Sequence, residues 1–122
     1  MKLEVGMYVR YKKYGQIEKI IEYKEYEVYG EIKVKINGFK HYKKNLLKHI
    51  KKASHNIIDL IEEGDYVNGK RVGFINDSDY YKDIFLSEDY EEPYETMIVK
   101  TYKDIKSIVT KEQFESMQYK VD

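Results

Sequence analysis

Residues 61–75, IEEGDYVNGKRVGFI, repeat residues 3–17, LEVGMYVRYKKYGQI. Set side by side without a gap, the two segments agree at Glu4/Glu62, Gly6/Gly64, Tyr8/Tyr66, Val9/Val67, Lys12/Lys70, Gly15/Gly73 and Ile17/Ile75. Chance gives about one such match, so the chain reads as a doubled unit, and a period of this size calls for two copies of one small fold. The expected division is residues 1–61 for the first copy and 62–122 for the second. A unit of about 60 residues buries only about 60% of the surface its unfolded chain exposes, so each copy is near the lower limit for folding alone.

The residue types favour strands. Fourteen Ile, nine Val and fourteen Tyr stand against one Ala and one Pro, and β-branched and aromatic side chains suit a pleated, half-buried surface. No Cys is present, which removes disulfides and thiolate metal sites. Neither a signal-peptide core nor the roughly 20 apolar residues of a membrane span can be found, and the expectation is a soluble, cytoplasmic protein. The net charge of zero hides a division. Residues 1–56 hold fourteen Lys or Arg against six Asp or Glu, and residues 57–122 hold eight against sixteen. Halves of opposite sign can pack on each other, pair head to tail in a homodimer, or meet charged partners.

Along the first copy, residues 7–11 alternate as a half-buried strand, residues 12–15 turn, and residues 16–23 resume as a strand. Ile32, Val34 and Ile36 alternate with Lys33 and Lys35 up to Asn37 and Gly38. That dipeptide favours the left-handed φ values of a two-residue hairpin, so residues 39–43 are expected to return antiparallel. Asn45 is the expected cap of a helical turn through Leu46, Leu47 and Ile50. The second copy has its own hairpin signal at Asn68 and Gly69, followed by an acidic insert over residues 76–95 that contains Pro93. Residues 96–102 and 105–109 read as a strand pair turning at Lys103 and Asp104. Thr110 with Gln113 fits a capping box, and residues 117–121 read as a final strand.

Two tight strands, a diverging loop, a hairpin, a helical turn and a closing strand resemble the SH3-like pattern, most of all at Gly64, Asp65, Tyr66 and Val67. The resemblance implies a mainly β chain built as a tandem repeat of two small SH3-like barrels. A narrower resemblance lies in IIDLIEEGDYVNG at 57–69 and DIKSIVTKEQFESMQYKV at 104–121. These segments look like small uncharacterised prophage proteins of low-GC bacteria. That resemblance implies a phage accessory protein acting against host defences, as an anti-CRISPR inhibitor or a sponge for nucleotide signals, and it supplies no catalytic residues.

Catalytic signals are missing from the sequence. Ser54, Ser78, Ser87 and Ser107 sit in no Gly-flanked elbow, and Gly64, Gly69 and Gly73 precede no phosphate-loop Lys. His41, His49 and His55 match no zinc spacing. Asp77, Asp79 and Asp83 lack the central Gly and terminal Glu of a calcium loop. The expectation is a non-enzymatic protein without metal or cofactor, and two charged surfaces compete for its function. The acidic one, Asp77, Asp79, Asp83, Glu88, Asp89, Glu91, Glu92 and Glu95, would mimic nucleic-acid phosphates and block the basic channel of a host defence protein complex. The basic one centres on KHYKKNLLKHIKK at 40–52 with the nearby turn, and comprises Arg10, Lys12, Lys13, Tyr42, Lys43, Lys44, Lys48, Lys51 and Lys52. It would bind nucleic acid or a nucleotide through backbone contacts and stacking on Tyr. With only two Arg, bidentate base reading is not its mode.

Overall fold

The alternating Ile, Val, Tyr and Lys segments form eleven short strands among the residues that the computed structural model describes, 2–78, 80–87 and 97–117. The chain is mainly β, and none of its sheets closes into a barrel. It divides into the units Met1–Asn56 and Ile57–Asp122. The boundary follows Asn56 rather than Ile61 because Ile58 and Ile61 pack in the core of the second unit.

The first unit contains β1 (Tyr8–Tyr11), β2 (Ile17–Lys19), β3 (Tyr23–Val28), β4 (Glu31–Ile36), β5 (Phe39–Tyr42), α1 (Lys43–His49) and β6 (Ile50–Ser54). Its strands make two sheets, β2-β1-β6 and the meander β3-β4-β5. The expected single strand over 16–23 is broken at 20–22. There Ile20 turns fully into the core, and the Asn37 amide latches the backbone, its Oδ1 accepting from Ile21 N and Glu22 N at 2.8 and 3.1 Å and its Nδ2 donating to Lys19 O at 2.9 Å. Met7, Val9, Ile20, Val34, Ile36, Leu46 and Ile50 form the core. Helix α1 starts at Lys43, straight out of β5, with Tyr42 at the N-cap and no side-chain cap bond. Asn45 therefore lies inside the helix, whose phase is set by Leu46 entering the core.

The second unit contains a 3₁₀ turn (Ile57–Leu60), β7 (Tyr66–Val67), β8 (Lys70–Asp77), β9 (Lys82–Ser87), β10 (Met97–Val99), a second 3₁₀ turn (Tyr102–Asp104), β11 (Ile108–Val109) and α2 (Lys111–Met117). One sheet, in the order β10-β9-β8-β7-β11, holds all the strands of this unit among the described residues. The expected pairing of 96–102 with 105–109 does not occur: β10 pairs with β9, and β11 with β7. Asp104 ends strand character there, since its carboxylate accepts from Lys100 N and Thr101 N and caps the 3₁₀ turn. Part of the expected acidic loop is instead the strand β9. Thr110 and Gln113 do form the capping box, at 3.0 and 3.2 Å, and α2 runs on through Met117. The remainder of the strand expected over 117–121 lies outside the described residues.

The gapless repeat is true for its first half only. Met7 N donates to Glu4 O as Asp65 N donates to Glu62 O, at 3.2 and 3.1 Å. Gly6 and Gly64 take φ of +95° and +90°, a region that L side chains enter only with strain. Gly6 N donates to Ile20 O and Ile20 N to Met7 O; Gly64 N donates to Val72 O and Val72 N to Asp65 O in the same way. Ile20 therefore corresponds to Val72. Lys12/Lys70, Gly15/Gly73 and Ile17/Ile75 are not structural equivalents, because the β1–β2 turn is longer than the two-residue turn at Asn68 and Gly69. Gly15 lies in that turn, whereas Gly73 is the extra residue of a β-bulge between Val72 and Phe74.

Candidate nucleic-acid interface

Both hairpins of the β3-β4-β5 meander are tight, so cross-strand register decides which side chains share a face. Tyr23 and Ile36 are opposite each other, as are Glu25 and Val34, and this face carries the buried Val34 and Ile36. On the other face, Lys24, Lys35 and Lys40 form one row across the three strands, and Tyr26, Lys33 and Tyr42 form the next. The Lys33 ammonium lies over the Tyr42 ring at 4.7 Å from its centroid. Lys24 and Lys40 are exposed, Lys33 and Lys35 half-buried. Only Glu22 approaches a member of the rows among the ion pairs described, 3.8 Å from Lys35. Four cations and two aromatic rings thus occupy a strip one sheet wide.

Tyr29 stands at the tip of the β3–β4 hairpin with φ of +51°, fully exposed. The corresponding positions of two other hairpins hold Asn37 and Asn68, residues that tolerate this region well. Beyond the tip, the start of β4 and the start of α1 enclose an apolar cleft of about 340 Å³ lined by Glu31, Ile32, Tyr42, Lys43, Lys44 and Leu47. Lys43 is held 2.7 Å from Glu25 Oε1, which also accepts from the Tyr23 hydroxyl at 2.8 Å. The Lys43 hydrogen bond, then that of Tyr23, holds the Glu25 carboxyl below the usual range. Burial, then the bond to Glu25, pushes the Tyr23 phenol up to about 12.

The basic residues expected from sequence are thereby sorted. Tyr42, Lys43 and Lys44 border the cleft. Lys44 and Lys48 share one face of α1 by their spacing. Lys12 N donates to His49 O at 2.8 Å, which brings the turn carrying the exposed Lys12 and Lys13 beside the end of α1. Lys51 is exposed and Lys52 half-buried in β6. Arg10 is a correction: it is fully buried and offers no surface to an anion. Lys40 opens the expected basic stretch, and Lys24, Tyr26, Lys33 and Lys35, which share its face, lie outside the expected set. The alternation in EIKVKI and the following Asn-Gly turn are the signal for Lys33 and Lys35, once register is carried across the hairpin to Lys40 and Tyr42.

Of the acidic set, Asp79, Glu88, Asp89, Glu91, Glu92 and Glu95 lie outside the described residues. Asp77 pairs across with Lys82 and Asp83 with Asn76, neighbouring positions whose side chains leave opposite faces of the β8–β9 hairpin. The structure does not bring these two carboxylates together. Among the described residues no cluster of His, Asp and Glu is suited to a metal ion, and no helix is long and apolar enough to cross a membrane. A second concavity, of about 550 Å³, lies beside α2; its lining includes Arg71, Lys111, Glu63 and Glu115 together with Tyr66 and Phe114, whose rings stack. Its mixed signs give an anion no clear advantage. No protein-family model, curated protein or solved structure matches the chain.

Proposed function

We propose that the first unit is a binding module for single-stranded nucleic acid. The observation that carries this reading is the pair of adjacent rows Lys24–Lys35–Lys40 and Tyr26–Lys33–Tyr42 on one face of the meander. A strand laid along this face has its phosphates near the ammonium row and its unpaired bases over the tyrosines. Stacking is worth about 1–3 kcal/mol per base and tolerates any sequence. Lysine point charges suit backbone contact, in keeping with the scarcity of Arg. The order of strands in each unit, with a helical turn before the last strand, supports the further proposal that both are open variants of the SH3-like pattern.

Fluorescence anisotropy with a labelled oligo(dT) across a salt series tests the reading. Contact with about four phosphates predicts a slope of log K against log salt near −3, at about −0.7 per phosphate for a single strand. A protein that leaves the oligonucleotide free at low salt would refute it. The competing proposal, a phage inhibitor presenting residues 76–95 to a basic channel of a host defence complex, draws support from the charge division and the prophage resemblance. It predicts a host protein captured in a salt-sensitive manner, and capture that survives neutralisation of Glu88, Asp89, Glu91 and Glu92 would end it.

A further inference from the structure

The apolar cleft at the end of the Lys and Tyr rows has a chemistry of its own. Ile32 is 49% exposed at its wall, and Leu47 is packed only partly against the core. Tyr42 belongs both to the cleft and to the row it shares with Lys33. A flat aromatic ligand entering here covers Ile32 and Leu47 and stacks beside Tyr42, and the volume of about 340 Å³ suits one small ligand. Lys43 is engaged by Glu25, while Lys44 is exposed at the rim where a phosphate attached to that ligand would sit. The one acidic group of the lining is Glu31, also exposed, directly after the Tyr29–Gly30 tip.

A carboxylate is an acceptor only, and its two oxygens receive two parallel N–H donors best. Guanine alone among the common bases offers such a pair on its Watson–Crick edge, N1–H beside the exocyclic N2–H. Adenine and cytosine each pair one amino group with a ring acceptor. Uracil and thymine flank one N–H with two carbonyl oxygens, which a carboxylate repels.

We propose that this cleft is a guanine site, in which the base stacks between Tyr42 and Leu47 over Ile32, Glu31 accepts from N1–H and N2–H, and Lys44 meets the adjoining phosphate. The proposal rests on the reading that the meander holds a single strand, and makes the cleft the place where that strand is selected by sequence. A good bidentate pair discriminates by about 1–3 kcal/mol, so roughly tenfold or more in affinity is expected.

The test compares, on the full chain, a labelled eight-nucleotide oligo(dT) with the same strand carrying one central guanine. The guanine strand binds about tenfold tighter; Glu31→Gln abolishes the difference between the two strands, and the double variant Lys24→Ala/Lys40→Ala weakens both strands alike. Equal affinities, or a guanine preference that survives Glu31→Gln, overturn the guanine site while leaving the strand-binding reading intact. If neither strand binds at low salt, that reading fails by itself. The cleft is then judged by guanosine monophosphate in a methyl NMR titration, where shifts at Ile32 and Leu47 support it and their absence overturns it.

Discussion

The two units start on the same backbone device and diverge at what they attach to it. In each, a Glu-x-Gly turn leads into Tyr-Val, and the Gly and the residue after it bond the second strand through a matching pair of hydrogen bonds. In each, the Glu carboxylate meets a side-chain nitrogen just past the end of the neighbouring strand: Glu4 the His55 ring, Glu62 the Lys111 ammonium at 2.9 Å. One position later than the Gly, the units part. Met7 enters an apolar core, whereas Asp65 is fully buried and accepts from Glu62 N and Lys111 N at 2.7 and 2.9 Å. The outer faces differ as well. Where the first unit has its Lys and Tyr rows, the second has Phe74, Phe85 and Ile98 in register across β8, β9 and β10, with Phe74 and Phe85 rings 5.6 Å apart. Backbone constraints held the opening constant while the faces were free to take different chemistry.

That comparison breaks first at Asp65. Asp65→Ala leaves two buried-side N–H groups without their charged acceptor and is expected to cost about 3 kcal/mol. Met7→Ala at the matching position removes packing and costs about 2 kcal/mol. Denaturant titrations followed by NMR probes in each unit measure both. Asp65→Met, which gives the second unit the residue of the first, is expected to rescue none of the loss, because thioether sulfur is a weak acceptor. A full rescue would mean that packing, rather than the two hydrogen bonds, fixes this position.

The shared glycines come next. A Cβ at Gly64 would meet only the Lys111 side chain at 3.6 Å, and at Gly6 only the His55 ring at 3.8 Å. Space is therefore available in both, and the penalty of Ala is conformational, about 1–2 kcal/mol. Gly6→Ala and Gly64→Ala should destabilise their own units by equal amounts in the same titrations. Unequal losses would show that the two turns are alike in hydrogen bonding but not in strain.

How much of this was legible in the sequence follows from range along the chain. The turns at Asn37 and Asn68 and the Thr110–Gln113 cap are local, and each depends on side chains within a few residues. The false half of the repeat, from Lys12/Lys70 onward, arose because gapless matching cannot see a turn change length; the matching bonds that equate Ile20 with Val72 span different distances along the chain. The Lys and Tyr rows needed two registers at once, and the first strand involved, β3, was not expected as a separate element. Arg10 looked like surface because a basic residue in a Lys-rich stretch is usually solvated, and only the fold shows it buried.

A smaller effect is expected from the ion pairs. The hydrogen bond to Glu62 raises the Lys111 pKa against an opposing effect of burial. A folded-state pKa above the unfolded one means that the stabilisation is complete below the usual lysine value and fades as pH rises through the raised one. Stability of the second unit should therefore fall in that alkaline window, and Glu62→Gln should flatten the fall, as a pH series of denaturant midpoints would reveal. The Lys111 side chain is 42% exposed, so solvent screening keeps the contribution below about 1 kcal/mol.

The smallest change in stability carries the sharpest information about the outer face. Asn37 and Asn68 each bond two successive N–H groups and a carbonyl from the left-handed position of a tight turn. Tyr29 holds the same kind of position with φ of +51°, its ring fully exposed, and a bulky residue there is strained. If folding alone had chosen it, Asn would serve better, and Tyr29→Asn is expected to stabilise the first unit by a few tenths of a kcal/mol. If the ring stacks on a base beside the Lys and Tyr rows, the same substitution weakens oligonucleotide binding severalfold. Stability and affinity measured on one variant must then move in opposite directions; affinity that stays constant would remove Tyr29 from the interface and confine stacking to Tyr26 and Tyr42.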